Sequence, residues 1–180
     1  SRVTDFSDSS SCVLFGDGAG AAVIGLSAHM FAYATGAMGE SAILFIPANY
    51  KSANPFTGIK PDDASPFIFM DGQAVYRFAV EYFPKSAIQA MEKYNLTPDD
   101  IDRYICHQAN IRIINTCAKK LNQPNEKFFV NINKYGNTPA ASVGIALDEA
   151  NKSGGLKRGD KIILGGFGCG LTYGTIFMEW

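Results

Sequence analysis

The chain has 180 residues, 47% of them hydrophobic, a size and composition that suit one soluble α/β domain or one large half of a two-lobed protein. Its 16 basic and 17 acidic residues leave a formal net charge of −1, which excludes whole-molecule attraction to nucleic acid or to an acidic membrane surface. No apolar run approaches the roughly 18 residues of a membrane span, and the first residues lack the shape of a signal peptide, so a cytoplasmic location is expected.

The run Cys12 to Phe15, the glycine-rich Gly16 to Gly20 and then Ala21 to Ile24 read as two short strands around a turn. A third strand is predicted from Met30 to Thr35, and the Pro-, Asn- and Ser-rich stretch Ala48 to Pro66 reads as a long surface loop. Phe67 to Met70 reads as a short buried strand. Asp71 then offers an N-cap to a helix in which Val75, Phe78, Ala79, Tyr82, Ala87, Ile88 and Met91 recur at helical spacing, with a kink predicted at Pro84. Arg103 to Cys106 is the next strand. Asn110 caps a helix with Ile111, Ile114, Ala118 and Leu121 on one apolar face. Phe128 to Ile132 reads as a strand, Thr138-Pro139 opens a helix of small residues ending at Gly154-Gly155, and Lys161 to Gly165 with Leu171 to Met178 form a closing hairpin. The expected class is α/β, a mixed sheet covered by helices.

Four polar or glycine-rich segments each follow a predicted strand: Asp71-Gly72, His107 to Asn110, Asn133 to Asn137, and Gly166 to Gly170. If the strands run parallel, the segments meet at the carboxyl edge of one sheet, where open α/β sheets bind ligands. His107 lies just before a helix N-terminus, whose dipole disfavours imidazolium, so a neutral hydrogen-bond donor is expected there. Asn137 adds a neutral amide, and two such donors aimed at one point suit a developing enolate or oxyanion. The alternative is that His107 is a hydrogen-bonded core histidine and Asn137 a turn residue.

The four cysteines, Cys12, Cys106, Cys117 and Cys169, are far apart, which argues against a metal site or a disulfide framework. Cys106 and His107 are strand neighbours pointing to opposite faces, so they are poorly placed as a nucleophile–base pair. Cys117 falls on the apolar side of its helix, and Cys12 and Cys169 read as small fillers rather than reactive thiols, although Cys169 lies in a glycine turn at the site edge. Gly16-x-Gly18-x-x-Ala21 matches a loose dinucleotide fingerprint, but the strand-like residues after it do not open the helix that motif needs. Arg77, Arg112, Lys119 and Lys120 near the predicted edge are either a solvated face or a docking patch for an acidic partner.

Phe15 to Ala21, His107 to Asn110, Gly136 to Ser142 and Gly166 to Gly174 together resemble the bacterial-type β-ketoacyl-acyl-carrier-protein synthase III family, and the likeness runs from about Cys12 to Trp180. The resemblance implies the thiolase fold, with two similar halves, and a homodimer. It implies a decarboxylating Claisen condensation of acyl-CoA, acetyl-CoA first, with malonyl-acyl-carrier protein to start fatty-acid synthesis. Thioesters of CoA and of acyl carrier protein are the implied substrates, and no cofactor is implied. By the same resemblance His107 and Asn137 bind the malonyl thioester oxygen, and the backbone N–H of Cys169 holds an oxyanion. Phe167 and Gly168 shape the site, and Gly72, Tyr76, Ala109 and Asn110 line the pantetheine tunnel. Arg77, Arg112, Lys119 and Lys120 receive the carrier protein. At Gly72 the missing side chain would let the substrate arm approach the backbone.

One departure is plain. The family's nucleophilic cysteine sits in the N-terminal half, at the start of a buried helix, and no such segment occurs here. With no initiator methionine either, the expectation is that residues 1–180 form the C-terminal thiolase-like domain of a larger enzyme, inactive without its N-terminal half. Two other readings remain: a non-catalytic thiolase-fold partner subunit, and a polyketide- or quinolone-type condensing enzyme. Retention of both His107 and Asn137 argues against the first, and the motifs around them favour the fatty-acid initiator over the second.

Overall fold

A computed structural model describes residues 3–9, 11–40, 42–46 and 67–180. The loop expected from Ala48 to Pro66 lies outside the described residues. The main sheet has four strands in the order β1 (Phe31–Ala37), β6 (Thr172–Glu179), β5 (Lys161–Gly168), β4 (Arg103–Cys106). Only β4 and β5 run parallel; β5–β6 is the expected hairpin, and β6 pairs antiparallel with β1. The sheet is therefore mixed, as the alternating patterns required.

Side-chain alternation divides the core between the two faces of this sheet. On β4, Tyr104 and Cys106 join one buried cluster and Ile105 the other; on β5, Ile163 and Ile162 divide the same way. The first cluster lies under α1 (Gly72–Glu92) and α2 (Ile111–Lys120), which contribute Ala79, Phe83, Met91, Ile114 and Cys117. The second lies under α4 (Ala141–Lys152), through Ala146 and Ala150. Complete burial of a side chain such as Phe83 or Ile163 stabilises the fold by about 1.5–3 kcal/mol.

Both expected helix caps are present. The Asp71 carboxylate accepts hydrogen bonds from the backbone N–H groups of Gln73 and Ala74, each at 3.0 Å, and the Asn110 side chain accepts one from Arg112 at 2.8 Å. α1 runs on through the buried Pro84 to Glu92. At Gly165 the sheet needs a missing side chain, because a Cβ there would occupy the volume of the Phe83 ring. α1 thus rests directly on bare backbone of β5.

Several expectations from the sequence change. The stretches Cys12 to Phe15 and Ala21 to Ile24 are not strands; only Phe15 makes a single bridge, to Asn137. A strand needs a neighbour for its backbone hydrogen bonds, and residues 16–27 have no ladder partner among the described residues. Val23, Ile24 and Leu26 consequently stand 103%, 92% and 109% exposed. The buried strand expected at Phe67 to Met70 shrinks to β3 (Phe69–Met70), half-exposed at Phe69. It pairs with β2 (Leu44–Phe45) in a separate two-stranded sheet. The strand expected from Phe128 to Ile132 is one parallel bridge between Phe128 and Tyr104, followed by the short α3 (Ile132–Tyr135). The Tyr104 and Phe128 rings stack beside that bridge, 4.4 Å apart. Ile111, assigned to the apolar face of α2, is 41% exposed, and Ile113 is buried instead.

Candidate active site

The carboxyl ends of β4 and β5 lie side by side. Just past β4, the backbone N–H of His107 donates to the carbonyl of Gly165 on β5 at 2.7 Å. The pleat that turns Cys106 into the α1–α2 side turns His107 toward α4. There the Nδ1 atom of His107 lies 2.6 Å from the hydroxyl of Ser142, and the Phe167 ring packs edge-on at 5.1 Å. Burial holds the imidazole well below its ordinary value of 6.5, at about 4, so the ring is neutral near pH 7. The sign agrees with the dipole argument, but the larger cause is loss of solvent.

Gln108 locks the segment in place. Its buried side chain donates to the carbonyls of Cys106 (2.9 Å) and Phe129 (3.1 Å), and its oxygen accepts from the N–H of Asn131 (3.1 Å). These bonds tie the end of β4 to the loop that leads through α3 to Asn137.

Asn137 is held by its backbone. Its N–H donates to Leu14 at 3.0 Å, and its carbonyl accepts from the N–H of Gly16 at 2.8 Å. The approach is so close that a Cβ on Gly16 would collide with the carbonyl oxygen of Tyr135. The glycine-rich run of the sequence is therefore backbone packed against the Asn137 turn, and it opens no helix for a dinucleotide. Asn137 is only 8% exposed, yet its Oδ1 has no hydrogen-bond partner among the described residues. A buried carboxamide with unused bonding capacity is uncommon outside functional sites.

His107 and Asn137 both line one open cavity of about 1420 Å3. Gly72, Tyr76, Arg77, Ala109, Asn110, Arg112, Phe167, Gly168 and Cys169 line it as well. Of the residues singled out in the sequence, Lys119 and Lys120 do not; they occupy the last turn of α2. Gly72 arrives on the N-terminus of α1 rather than from the main sheet, and a Cβ there would meet nothing within 4 Å. Tyr76 is steadied by a 2.8 Å hydrogen bond between its hydroxyl and Thr116.

Cys106 and Cys117 are packing residues whose thiols burial pushes up to about 12. Cys169 is exposed in the β5–β6 turn and lines the cavity, at the site edge where its glycine turn was expected. Sequence reasoning missed two residues as parts of the site, Ser142 and Gln108. Their only signal was position: one five residues after Asn137, the other directly after His107. Among the described residues no group of three or more His, Cys, Asp or Glu could hold a metal, and no helix is long and apolar enough to cross a membrane.

The C-terminal region of 3-oxoacyl-acyl-carrier-protein synthase III matches residues 91–180, and a second region of that family matches residues 1–39. A protein of Fusobacterium nucleatum named beta-ketoacyl-acyl-carrier-protein synthase III is 45% identical over the whole chain, which spans 56% of its length. A protein of the same name from Caldanaerobacter subterraneus is 43% identical, with 55% of its length spanned. The crystal structure of 3-oxoacyl-acyl-carrier-protein synthase III from Aquifex aeolicus superposes on 99% of the chain with a TM-score of 0.81 at 35% identity, and 54% of it is covered. That of the synthase III from Thermus thermophilus gives a TM-score of 0.82 at 32% identity, over 99% of this chain and 56% of the other. The chain thus spans about half the length of the relatives it matches.

Proposed function

The chain belongs to the 3-oxoacyl-acyl-carrier-protein synthase III family, and from that premise we propose that residues 1–180 act as the C-terminal, thiolase-like half of a condensing acyltransferase. The reaction joins an acyl-CoA, acetyl-CoA in the first instance, to malonyl-acyl-carrier protein. An acyl group rests as a thioester on a cysteine contributed by an N-terminal half. The bond between the malonyl α-carbon and its free carboxylate breaks, carbon dioxide leaves, and the released electron pair spreads from the α-carbon onto the thioester oxygen as an enolate. The enolate carbon then attacks the acyl thioester, forming the new carbon–carbon bond and returning the cysteine thiolate.

His107 and Asn137 stabilise that enolate. The observation that carries this reading is that a neutral imidazole and a buried, under-bonded carboxamide share one cavity. Neutral donors stabilise a developing oxyanion without having to give up a charge interaction in the ground state. The Cys169 N–H serves the oxyanion of the acyl transfer, and the passage past Gly72, Tyr76, Ala109 and Asn110 receives the pantetheine arm. Arg77 and Arg112 meet the acidic carrier protein at the cavity, with Lys119 and Lys120 at the far end of α2 extending the basic surface. The enzyme is a cytoplasmic homodimer that needs no cofactor.

The test is malonyl-thioester decarboxylation by the intact enzyme. His107→Ala and Asn137→Ala should each lower the rate by on the order of 100-fold. An unchanged rate in His107→Ala would instead favour a non-catalytic, scaffolding role for this half.

A further inference from the structure

The hydroxyl of Ser142 occupies a position that the reaction scheme leaves without a task. Ser142 is 1% exposed, in the first turn of α4, five residues beyond Asn137. Its oxygen lies 2.6 Å from Nδ1 of His107 and 3.3 Å from the backbone nitrogen of Gln108. The Gln108 N–H can only donate, so the serine oxygen accepts there. One hydroxyl proton remains, and the acceptor within reach is Nδ1. Were Nδ1 itself protonated, the oxygen would accept twice and its own proton would be buried without a partner. The cost of that orphaned donor biases the ring roughly tenfold or more toward the form with a bare Nδ1.

We propose that Ser142 is a positioning residue that fixes His107 as the Nε2–H tautomer and holds that N–H ready for the substrate oxygen. The inference rests on the proposed function for its purpose, but not for its geometry. A donating Nε2 is what enolate stabilisation requires, since the other tautomer would turn a lone pair on the oxygen and repel it. Ser142 also couples the two donors mechanically, because the helix that carries it begins immediately after the Asn137 turn.

In the intact enzyme, nitrogen-15 NMR of the imidazoles, with the His107 signals identified by their loss in His107→Gln, reads the tautomer directly. In the wild type, His107 should show an imine-type Nδ1, shifted by hydrogen bonding, and a pyrrole-type Nε2. In Ser142→Ala, Nδ1 should move toward the position of an unbonded imine nitrogen, and the Nδ1–H form should become populated. Ser142→Thr, which keeps the hydroxyl, should restore the wild-type pair. In the intact enzyme Ser142→Ala should lower kcat for malonyl decarboxylation roughly tenfold with little change in KM. A protonated Nδ1 in the wild type overturns the inference, as do identical His107 resonances in wild type and Ser142→Ala. Identical His107 resonances in wild type and Ser142→Ala, together with a rate lost in His107→Ala, would overturn this inference alone and leave the proposed function standing.

Discussion

Acid should destabilise this chain through one ring. His107 is held at about 4, against an ordinary 6.5, by burial. The unfolded chain therefore takes up the imidazole proton before the folded chain does. Stability is complete above about pH 6.5 and falls as pH drops toward about 4. At about 1.4 kcal/mol for each tenfold change in proton affinity, that interval comes to about 3 kcal/mol, a large part of a typical domain's stability. Carboxylates such as Glu149, lowered by its hydrogen bond from Lys134, and Asp100, lowered by the Thr97 N–H, lose their contributions only toward the bottom of this range and below. Subtracting a His107→Gln variant removes their effect. The assay is urea unfolding followed by circular dichroism in steps from about pH 7 to about pH 4. The wild type should lose stability faster than the variant across the interval, and the NMR titration of His107 should show its midpoint near pH 4. Parallel stability curves, or a His107 midpoint near 6.5, would refute the claim that burial keeps this ring neutral.

Other substitutions probe the supports of the site. Gln108→Leu strands two carbonyls and one N–H that its side chain now satisfies, and should cost about 3 kcal/mol by urea midpoint. A loss below about 1 kcal/mol would mean that water replaces those bonds. Maleimide should label Cys169 in the folded chain while Cys106 and Cys117 react only after unfolding, and Cys169→Ala should keep condensing activity within about twofold. Arg112→Glu should raise KM for malonyl-carrier protein about tenfold, and by more than it raises KM for malonyl-CoA, whose negative charge is confined to its phosphates.

The helices and the C-terminal hairpin were legible because local chemistry decides them. Asp71 and Asn110 announce helix starts whatever packs around them, and the alternation in β4 holds with a neighbour on both faces. The failures share one cause: a strand is made by its partner. Val13 and Val23 have strand-forming side chains, but the chain beside them is glycine backbone pressed onto the Asn137 turn. Phe69 and Met70 found a partner, though not the expected one. At the site, the sequence brought His107 and Asn137 together by type and position, and both line one cavity. The roles of Ser142 and Gln108 were not legible, because a serine in a helix and a glutamine after a strand acquire meaning only from the atoms they meet.

The shared space at Gly165 and Phe83 makes those two positions a single steric unit. The carbonyl of Gly165 anchors the His107 backbone, whereas Phe83 sits in α1 and does not line the cavity. Added bulk on the strand would therefore be absorbed either by a smaller residue at 83 or by displacement of the imidazole. The sheet thus serves as a lever, by which a change of size in a remote helix would shift the imidazole of His107.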